Sequence, residues 1–253
     1  GPYAACIAIS VALFIQAIIF GDGGILSFGA NCFNIAFILP FTGFFIYKIL
    51  NKIHLSPFYH KCTIFLSAYI SINLAAFFTA LELGIQPLLF VDNLGQPLYC
   101  PYPLWISIPA MALSHLTIAG IAEGLFTLSL YLFILKTSPN IIYDSQQIKL
   151  NSIFSLLAFL IIISPLGLIA EGTAWGEWAP EEILNDTSSG VSLGFIPEKL
   201  LNGFNYEAFF PDYTMSGTTD ILAYIASAII GVALLIIIFK ILGSIIYAKK
   251  QSL

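Results

Sequence analysis

Long uncharged runs alternate with short polar interruptions along this chain. Residues 2–20 carry no charged side chain, and neither do residues 35–47. About 20 consecutive apolar residues suffice for a helix to cross the hydrocarbon core of a bilayer. On that measure the chain reads as about six transmembrane helices, at roughly 3–20, 30–50, 61–84, 104–135, 149–170 and 220–247. The fourth is long enough to need tilt or an interfacial turn. The pattern predicts an all-α integral membrane protein with one large extracytoplasmic loop at 171–219. Between the first two helices lies a glycine-rich turn, Phe20-Gly21-Asp22-Gly23-Gly24, which leads through Gly29 and Asn31 to Asn34. Polar, turn-prone backbone at a membrane edge is tolerated where protein or a watery cavity satisfies it. The turn is therefore either a tight outer hairpin or part of a substrate path.

Composition excludes the soluble alternatives. The chain is 58% hydrophobic and only 9% charged, where a soluble domain carries about 25% charge. The formal net charge is −5, and no basic patch offers a nucleic-acid surface. All nine basic residues are lysines, and all but Lys199 fall in alternate connections. Lys48, Lys52 and Lys61 surround the second, Lys136 and Lys149 flank the end of the fourth helix, and Lys240, Lys249 and Lys250 close the chain. Positively charged loops stay cytoplasmic. The turn 21–29, the loop 85–103 and the segment 171–219 then lie outside, with both chain ends in the cytoplasm of a multi-pass plasma (inner) membrane protein. None of the four cysteines, Cys6, Cys32, Cys62 and Cys100, forms a C-x-x-C pair, so they read as free thiols. Cys100, in an outer loop, is expected to be open to labelling from outside.

The chain divides near residues 138–148. Residues 1–137 hold four helices with short loops, and residues 149–253 hold two helices around the acidic outer segment. That segment combines Glu177, Glu181, Glu182, Asp186, Glu198, Glu207 and Asp212 with Trp175, Trp178, Phe204, Tyr206, Phe210 and Tyr213. It reads as a solvated rim or as a cation-concentrating mouth, its aromatics lying at the headgroup level. The first residue is Gly and no charged region precedes the first apolar run. The chain therefore does not open on a signal peptide and is expected to be a fragment or a processed product.

Glu82, His115 and Glu123 sit inside apolar spans. A carboxylate at mid-membrane costs about 2.5–3.5 kcal/mol on insertion scales, so such groups usually face the bundle interior and mark a path or a site. For His115 three readings stand: a neutral imidazole bonded to a backbone carbonyl, a path-lining group, or a metal ligand. Glu82 is either an interfacial carboxylate or part of a path, and Glu123 either fixes helix geometry by pairing or lines a cavity. His115 and Glu123 are separated by roughly 12 Å of helix rise, too far for a direct bond, yet within about 80° around the axis. Gly120-x-x-x-Gly124 suits close packing against a neighbouring helix. His54 and His60 are expected in a solvated cytoplasmic loop or docking surface. No nucleophile and base are paired with a third group, and no phosphate-binding Gly-rich loop with Lys-Ser/Thr is written, so neither an enzyme nor an ATPase is indicated.

Taken together, the turn Phe20–Gly24 with Gly29-Ala30-Asn31-x-Phe33-Asn34, the run Ala80-Leu81-Glu82-Leu83-Gly84, and His115 through Gly124 resemble the CbiM/NikM family. These are the substrate-capturing membrane components of energy-coupling-factor transporters for cobalt and nickel. The resemblance covers residues 1 to about 137. Residues 148–250, with Ser164-Pro165-Leu166-Gly167-Leu168, Trp175-Gly176-Glu177-Trp178 and Pro211-Asp212-Tyr213, resemble the fused two-helix accessory region of long-form members. The resemblance implies uptake of Co²⁺ most readily, or Ni²⁺, as transported substrate, with no permanently bound cofactor. It implies an energy-coupling membrane component and ATPase subunits as partners, besides membrane lipid. It implies a core with three more helices upstream. The family's metal ligands, a free amino terminus and two histidines, would precede Gly1. On that reading Asp22, Asn31, Asn34, Glu82, His115 and Glu123 line the site or hold its surroundings in place. Planar nitrogen donors suit Ni(II) and Co(II) far better than Asn or carboxylate oxygens do. The alternative is a membrane subunit that mainly docks and regulates partners.

Overall fold

A computed structural model describes residues 1–253 except 54–55, 140–141, 143–149, 170–173, 191 and 252–253. Six helices are long and apolar enough to cross a membrane: α1 (Pro2–Phe20), α2 (Phe28–Leu50), α3 (Pro57–Leu89), α4 (Leu104–Thr137), α5 (Asn151–Ile169) and α6 (Asp220–Ile245). Among the described residues the remainder is turns, short helices and one isolated bridge between Val91 and Pro97. The expected bounds hold to within two residues for α1, α2 and α4, whereas α3 starts at Pro57 and runs on to Leu89, the last helix continues to Gln251, and the expected ends of the fifth, 149 and 170, lie outside the described residues. The extra turn of α3 follows from local chemistry. The Ser56 hydroxyl accepts the Tyr59 amide at 3.2 Å, and Pro57 opens the helix where its missing N–H costs nothing.

α3 packs against both α2 and α4, while α1 lies between α2 and α6, and α6 also contacts α5. The buried face of α3 is a stripe of small residues: Thr63, Ser67, Ala68, Ser71, Ala75, Ala76, Ala80 and Gly84. Lipid tails are as apolar as leucine, so membrane helices associate through close packing, which small side chains permit. Glycines on the neighbours complete the fit. A methyl added at Gly43 would stand 3.2 Å from Ser71 Oγ, and one at Gly124 would stand 2.6 Å from the Phe65 ring. Gly120 backs onto Asn73 and Tyr69 in the same way, so the Gly120–Gly124 pair packs on α3 as its spacing predicts. The lipid-facing sides carry Phe44, Phe45, Ile118 and Phe126, all exposed.

Gly84 is the tightest of these contacts. A Cβ there would run into Ser107 Oγ and lie 2.8 Å from Leu104 Cα, which is backbone and cannot swing away. Gly84→Ala is therefore expected to destabilise the α3–α4 contact by about 1–3 kcal/mol. A lowered thermal midpoint in detergent checks this, with Gly29→Ala, which meets nothing within 4 Å, as the silent control.

Three spans carry a π-helical stretch, at Gln16–Phe20, Cys32–Ile38 and His115–Ala119. Each such stretch accommodates an extra residue per turn, and such bulges recur at functional sites. In α4 the stretch turns the Leu116 carbonyl outward, and the Tyr69 hydroxyl of α3 donates to it at 2.9 Å. Gln16, Asn34 and His115 all sit in these stretches.

His60 departs from the expected solvated loop. It lies half-buried in the first turns of α3. Its Nδ1 is 2.9 Å from Asn51 Oδ1, and its Nε2 is 3.0 Å from the Tyr131 hydroxyl. The ring therefore ties α2, α3 and α4 together. His54 lies outside the described residues.

Candidate functional site at the outer turn

The turn after α1 is built from three glycines in the left-handed region, Gly21 (φ 74°), Gly23 (φ 71°) and Gly24 (φ 69°). Such values are costly for any residue with a Cβ. The Ser27 hydroxyl donates to the Gly23 and Gly24 carbonyls, and Asn31 Nδ2 donates to the Gly23 carbonyl at 2.9 Å. Asn31 therefore shapes the loop. Asp22 stands at the centre of a second set of bonds. Its Oδ2 accepts from Gln16 Nε2 at 2.5 Å and also from the Tyr213 hydroxyl, which comes from the outer segment.

Tyr213 is held there from several sides. Its ring stacks on Phe20 with centroids 4.9 Å apart. The Phe210 amide donates to the Ile19 carbonyl at 2.9 Å, and the Tyr206 hydroxyl donates to the Ile18 carbonyl at 3.1 Å. Asp212 and Tyr213 adopt φ of 49° and 60°, a strained backbone for side-chain-bearing residues. Such strain persists where the surroundings over-determine it. Burial, and then the bond to Asp22, raises the Tyr213 phenol above its usual range, so it remains a donor at neutral pH. The Glu177 carboxyl is also raised, first by desolvation and then by the nearby Asp22 carboxylate.

The same segment grips the other outer loop. Cys100, Tyr102 and Ile106 form a buried cluster with Trp175, Trp178, Leu83 and Leu193 packed on it. The Tyr102 hydroxyl donates to the Asp186 carboxylate, and Trp175 Nε1 donates to Ser188 Oγ at 2.9 Å. Burial alone would push the Asp186 carboxyl up, but the bonds from Tyr102 and Ser188 bring it below the ordinary range. The Lys199 amide bonds the Leu98 carbonyl at 3.0 Å. Trp175, Trp178, Phe210 and Tyr213 thus pack on protein, where the sequence reading put them at the headgroup level. Cys100 is 7% exposed, and burial pushes its thiol up to about 11. It is therefore shielded and poorly nucleophilic, which corrects the expectation that it labels from outside. The four cysteines are all free.

The remaining polar groups separate into pairs. Asn34, 3% exposed, donates from Nδ2 to Glu82 Oε2 at 2.7 Å, joining α2 to α3. Its Oδ1 is buried with no hydrogen-bond partner among the described residues. His115 Nδ1 lies 2.9 Å from the Met111 carbonyl and 3.2 Å from Ser114 Oγ. A carbonyl only accepts, so Nδ1 is the donor in this contact. Glu123 Oε1 accepts from Thr127 at 3.0 Å, one turn along the same helix. Among the described residues no three His, Cys, Asp or Glu side chains converge as a metal site would require. A cleft of about 510 Å³ lies between α1, α5 and α6, and Gln16, Tyr213, Ser164 and Ser227 contribute to its lining. The sequence reading missed Gln16, Tyr213 and Tyr102. The aromatic–acidic outer segment was the signal, though its spacing does not say where it docks.

Residues 1–141 match the CbiM family model, described as the cobalt uptake substrate-specific transmembrane region, and residues 150–248 match the PDGLE domain model. The chain is 41% identical over 241 residues to the probable fused nickel transport protein LarMN of Lactiplantibacillus plantarum, covering 95% of this chain and 72% of that one. It is 40% identical over 252 residues to the fused nickel transport protein NikMN of Rhodobacter capsulatus, covering 93% and 73%. A crystal structure described as a transition metal transporter superposes with TM-score 0.52 at 48% identity, over 57% of this chain and 63% of that one. The helical membrane architecture, the glycine turn and these matches together place the chain in the CbiM family, as a substrate-specific membrane component of metal uptake.

Proposed function

We propose that this chain captures a divalent transition metal on the outer side of the plasma membrane for uptake driven by separate ATPase subunits through an energy-coupling membrane component. Nickel is the favoured cargo, ahead of cobalt, because the relatives matching along nearly the whole chain are named nickel transporters. Residues 1–137 form the substrate-binding core and residues 149–253 an accessory region, joined by the linker 138–148. The supporting observation is the contact between them: Tyr213 of the accessory region closes on Asp22 of the core. In this reading Asp22, Asn31, Asn34 and Glu82 shape the mouth, while His115 and Glu123 line its wall. Uptake of ⁶³Ni²⁺ by cells carrying the transporter, competed by Co²⁺ and Mg²⁺, tests it. Inhibition by Co²⁺ alone is expected, and equal inhibition by Mg²⁺ would refute a nitrogen-selective transition-metal site.

A partner-docking role for the accessory region is the second reading, favoured by its two separate grips on the core. Uptake that persists when residues 149–253 are deleted would favour it.

The orientation has its own test. The turn 21–24, the loop 98–106 and the segment 174–213 meet at one end of the bundle, and the lysine-bearing connections are assigned to the cytoplasm. With the buried Cys100 excluded, an impermeant thiol reagent is expected to label a cysteine at the exposed Asn93 in intact cells. It should leave one at Ser56 unlabelled until the membrane is opened. The reverse pattern would invert the topology.

A further inference from the structure

Three helix faces converge on the cleft between α1, α5 and α6. On α6 the lining residues Tyr224, Ser227, Gly231 and Leu235 follow at three- and four-residue steps, so they share one side of the helix. Leu157, Leu160 and Ser164 do the same on α5, and Ala12, Gln16 and Phe20 on α1. α6 contacts both neighbours, and a Cβ at Gly231 would stand 3.9 Å from the Phe20 ring. None of residues 151–169 is buried. The inward side of α5 is therefore turned to the cleft rather than packed on protein. The volume of about 510 Å³ falls within the range of roughly 300–1,000 Å³ typical of small-ligand sites.

The lining changes character along the spans. Its polar members, Gln16, Ser164, Tyr213, Tyr224 and Ser227, all lie toward the end that carries the glycine turn. The deeper members, such as Ala12, Leu157 and Leu235, are apolar, and no charged side chain lines the cleft among the described residues. From Tyr224 to Leu235 the helix rises about 16 Å, close to half of the roughly 30 Å hydrocarbon core. Most of the polar groups are engaged. Gln16 and Tyr213 bond Asp22, Ser164 donates to the Ile161 carbonyl at 2.9 Å, and Ser227 donates to the Tyr213 carbonyl at 3.4 Å. Tyr224 differs. Its ring lies 5.6 Å from that of Tyr213, but its hydroxyl makes no hydrogen bond among the described residues. A phenol O–H at the polar end calls for an acceptor. The uncharged, apolar lining below it calls for a hydrocarbon chain attached to that acceptor.

We propose that this cleft binds one phospholipid from the leaflet on the side of the glycine turn. Tyr224 donates to a glycerol ester carbonyl, and an acyl chain lies along α6 between α1 and α5. The headgroup stays beyond the polar end, because no charged side chain lines the cleft to hold it. An ester carbonyl suits the phenol better than a protein helix would, since helix carbonyls are already bonded along their own backbone. Tyr213, which closes on Asp22, also lines the cleft, so the lipid stands beside the contact between the two regions. The site rests on the membrane setting and not on the choice of metal.

Native mass spectrometry of the purified 253-residue chain tests the site, with dioleoylphosphatidylcholine and its diether analogue, which lacks the ester carbonyls, supplied in equal amounts. One lipid per chain is expected to be retained, the ester form about fivefold over the ether form. Tyr224→Phe keeps the ring and removes the donor, so it should retain lipid without distinguishing the two. Gly231→Leu, which puts a side chain into the cleft, should release the lipid. Gly231→Ala, whose methyl meets Phe20 at an ordinary contact distance, should keep it and so report that the fold tolerates a side chain there. Equal retention of ester and ether forms by the unaltered chain would overturn the proposal. So would an ester preference that survives in Tyr224→Phe, or unchanged retention in Gly231→Leu. In cells carrying the complete transporter, a photoreactive benzophenone side chain placed at Leu160 is expected to capture lipid. Capture of a second copy of this chain or of another polypeptide would assign the cleft to that occupant and overturn the lipid site.

Discussion

Tyr213→Ala is expected to lower metal uptake by tenfold or more in the complete transporter, with the protein still inserted in the membrane. The phenol is the only donor that the accessory region gives to the Asp22 carboxylate among the described contacts. A hydrogen bond to a charged group contributes about 2 kcal/mol. Losing it shifts the docked-to-undocked ratio roughly thirtyfold, and alanine also removes the stack on Phe20 at 4.9 Å. The series separates two roles. Tyr213→Phe keeps the ring and removes the donor, so it should show an intermediate loss. Asp22→Asn should match it, because an amide keeps the shape and surrenders the charge. If the bond is the working element, the double variant Tyr213→Phe with Asp22→Asn should be hardly worse than either single one. Additive losses would mean that each residue acts alone. Uptake unaltered in Tyr213→Ala would remove the outer segment from the transport step altogether.

A titration of the purified 253-residue chain with Ni²⁺ or Co²⁺ is expected to show no one-to-one complex as tight as roughly 1 µM. Tight chelation needs the right ligand number and geometry at near-ideal distances. His115 offers one imidazole, with Nδ1 already committed to the Met111 carbonyl. Glu82 is engaged by Asn34, Glu123 by Thr127, and Asp22 by Gln16 and Tyr213. No described trio of His, Cys, Asp and Glu converges. The nitrogen donors that these metals prefer are absent from the turn itself, whose Asn31 and Asn34 amides bond within the protein. A micromolar one-to-one complex abolished by His115→Ala would instead make that imidazole a ligand through its free Nε2. In a transporter that does hold the metal, Asn31→Ala and Asn34→Ala should slow uptake without eliminating bound metal. Anomalous scattering that placed either side chain on the ion would reverse this assignment.

The six spans were legible because bilayer crossing is a property of each segment by itself. An apolar run of sufficient length pays no heed to its neighbours in order to partition into lipid. The Gly120–Gly124 pair was legible for a related reason, since its four-residue spacing alone puts both glycines on one side of a helix. The glycine turn announced a backbone that only glycine adopts easily, and three positive φ angles stand there. The family resemblance, carried by those local motifs, identified the membrane component of metal uptake.

The partners of the polar side chains came only with the tertiary structure. Asp22 and Tyr213 are 191 positions apart, Tyr102 and Asp186 are 84 apart, and Asn34 and Glu82 are 48 apart. No periodicity links such positions. The same holds for the burial of Cys100 under the Trp175–Trp178 cluster and for the clamp that His60 makes on Asn51 and Tyr131. The π-helical stretches around Gln16, Asn34 and His115 also escape the sequence, because they depend on what a neighbouring helix offers to the freed carbonyls. The sequence by itself determined that this chain lives in a membrane, how many times it crosses, and which backbone turns are possible. The tertiary structure alone decided which polar groups meet. Insertion is set segment by segment by transfer from water to lipid, whereas a hydrogen bond between distant helices exists only once packing has brought its two ends together.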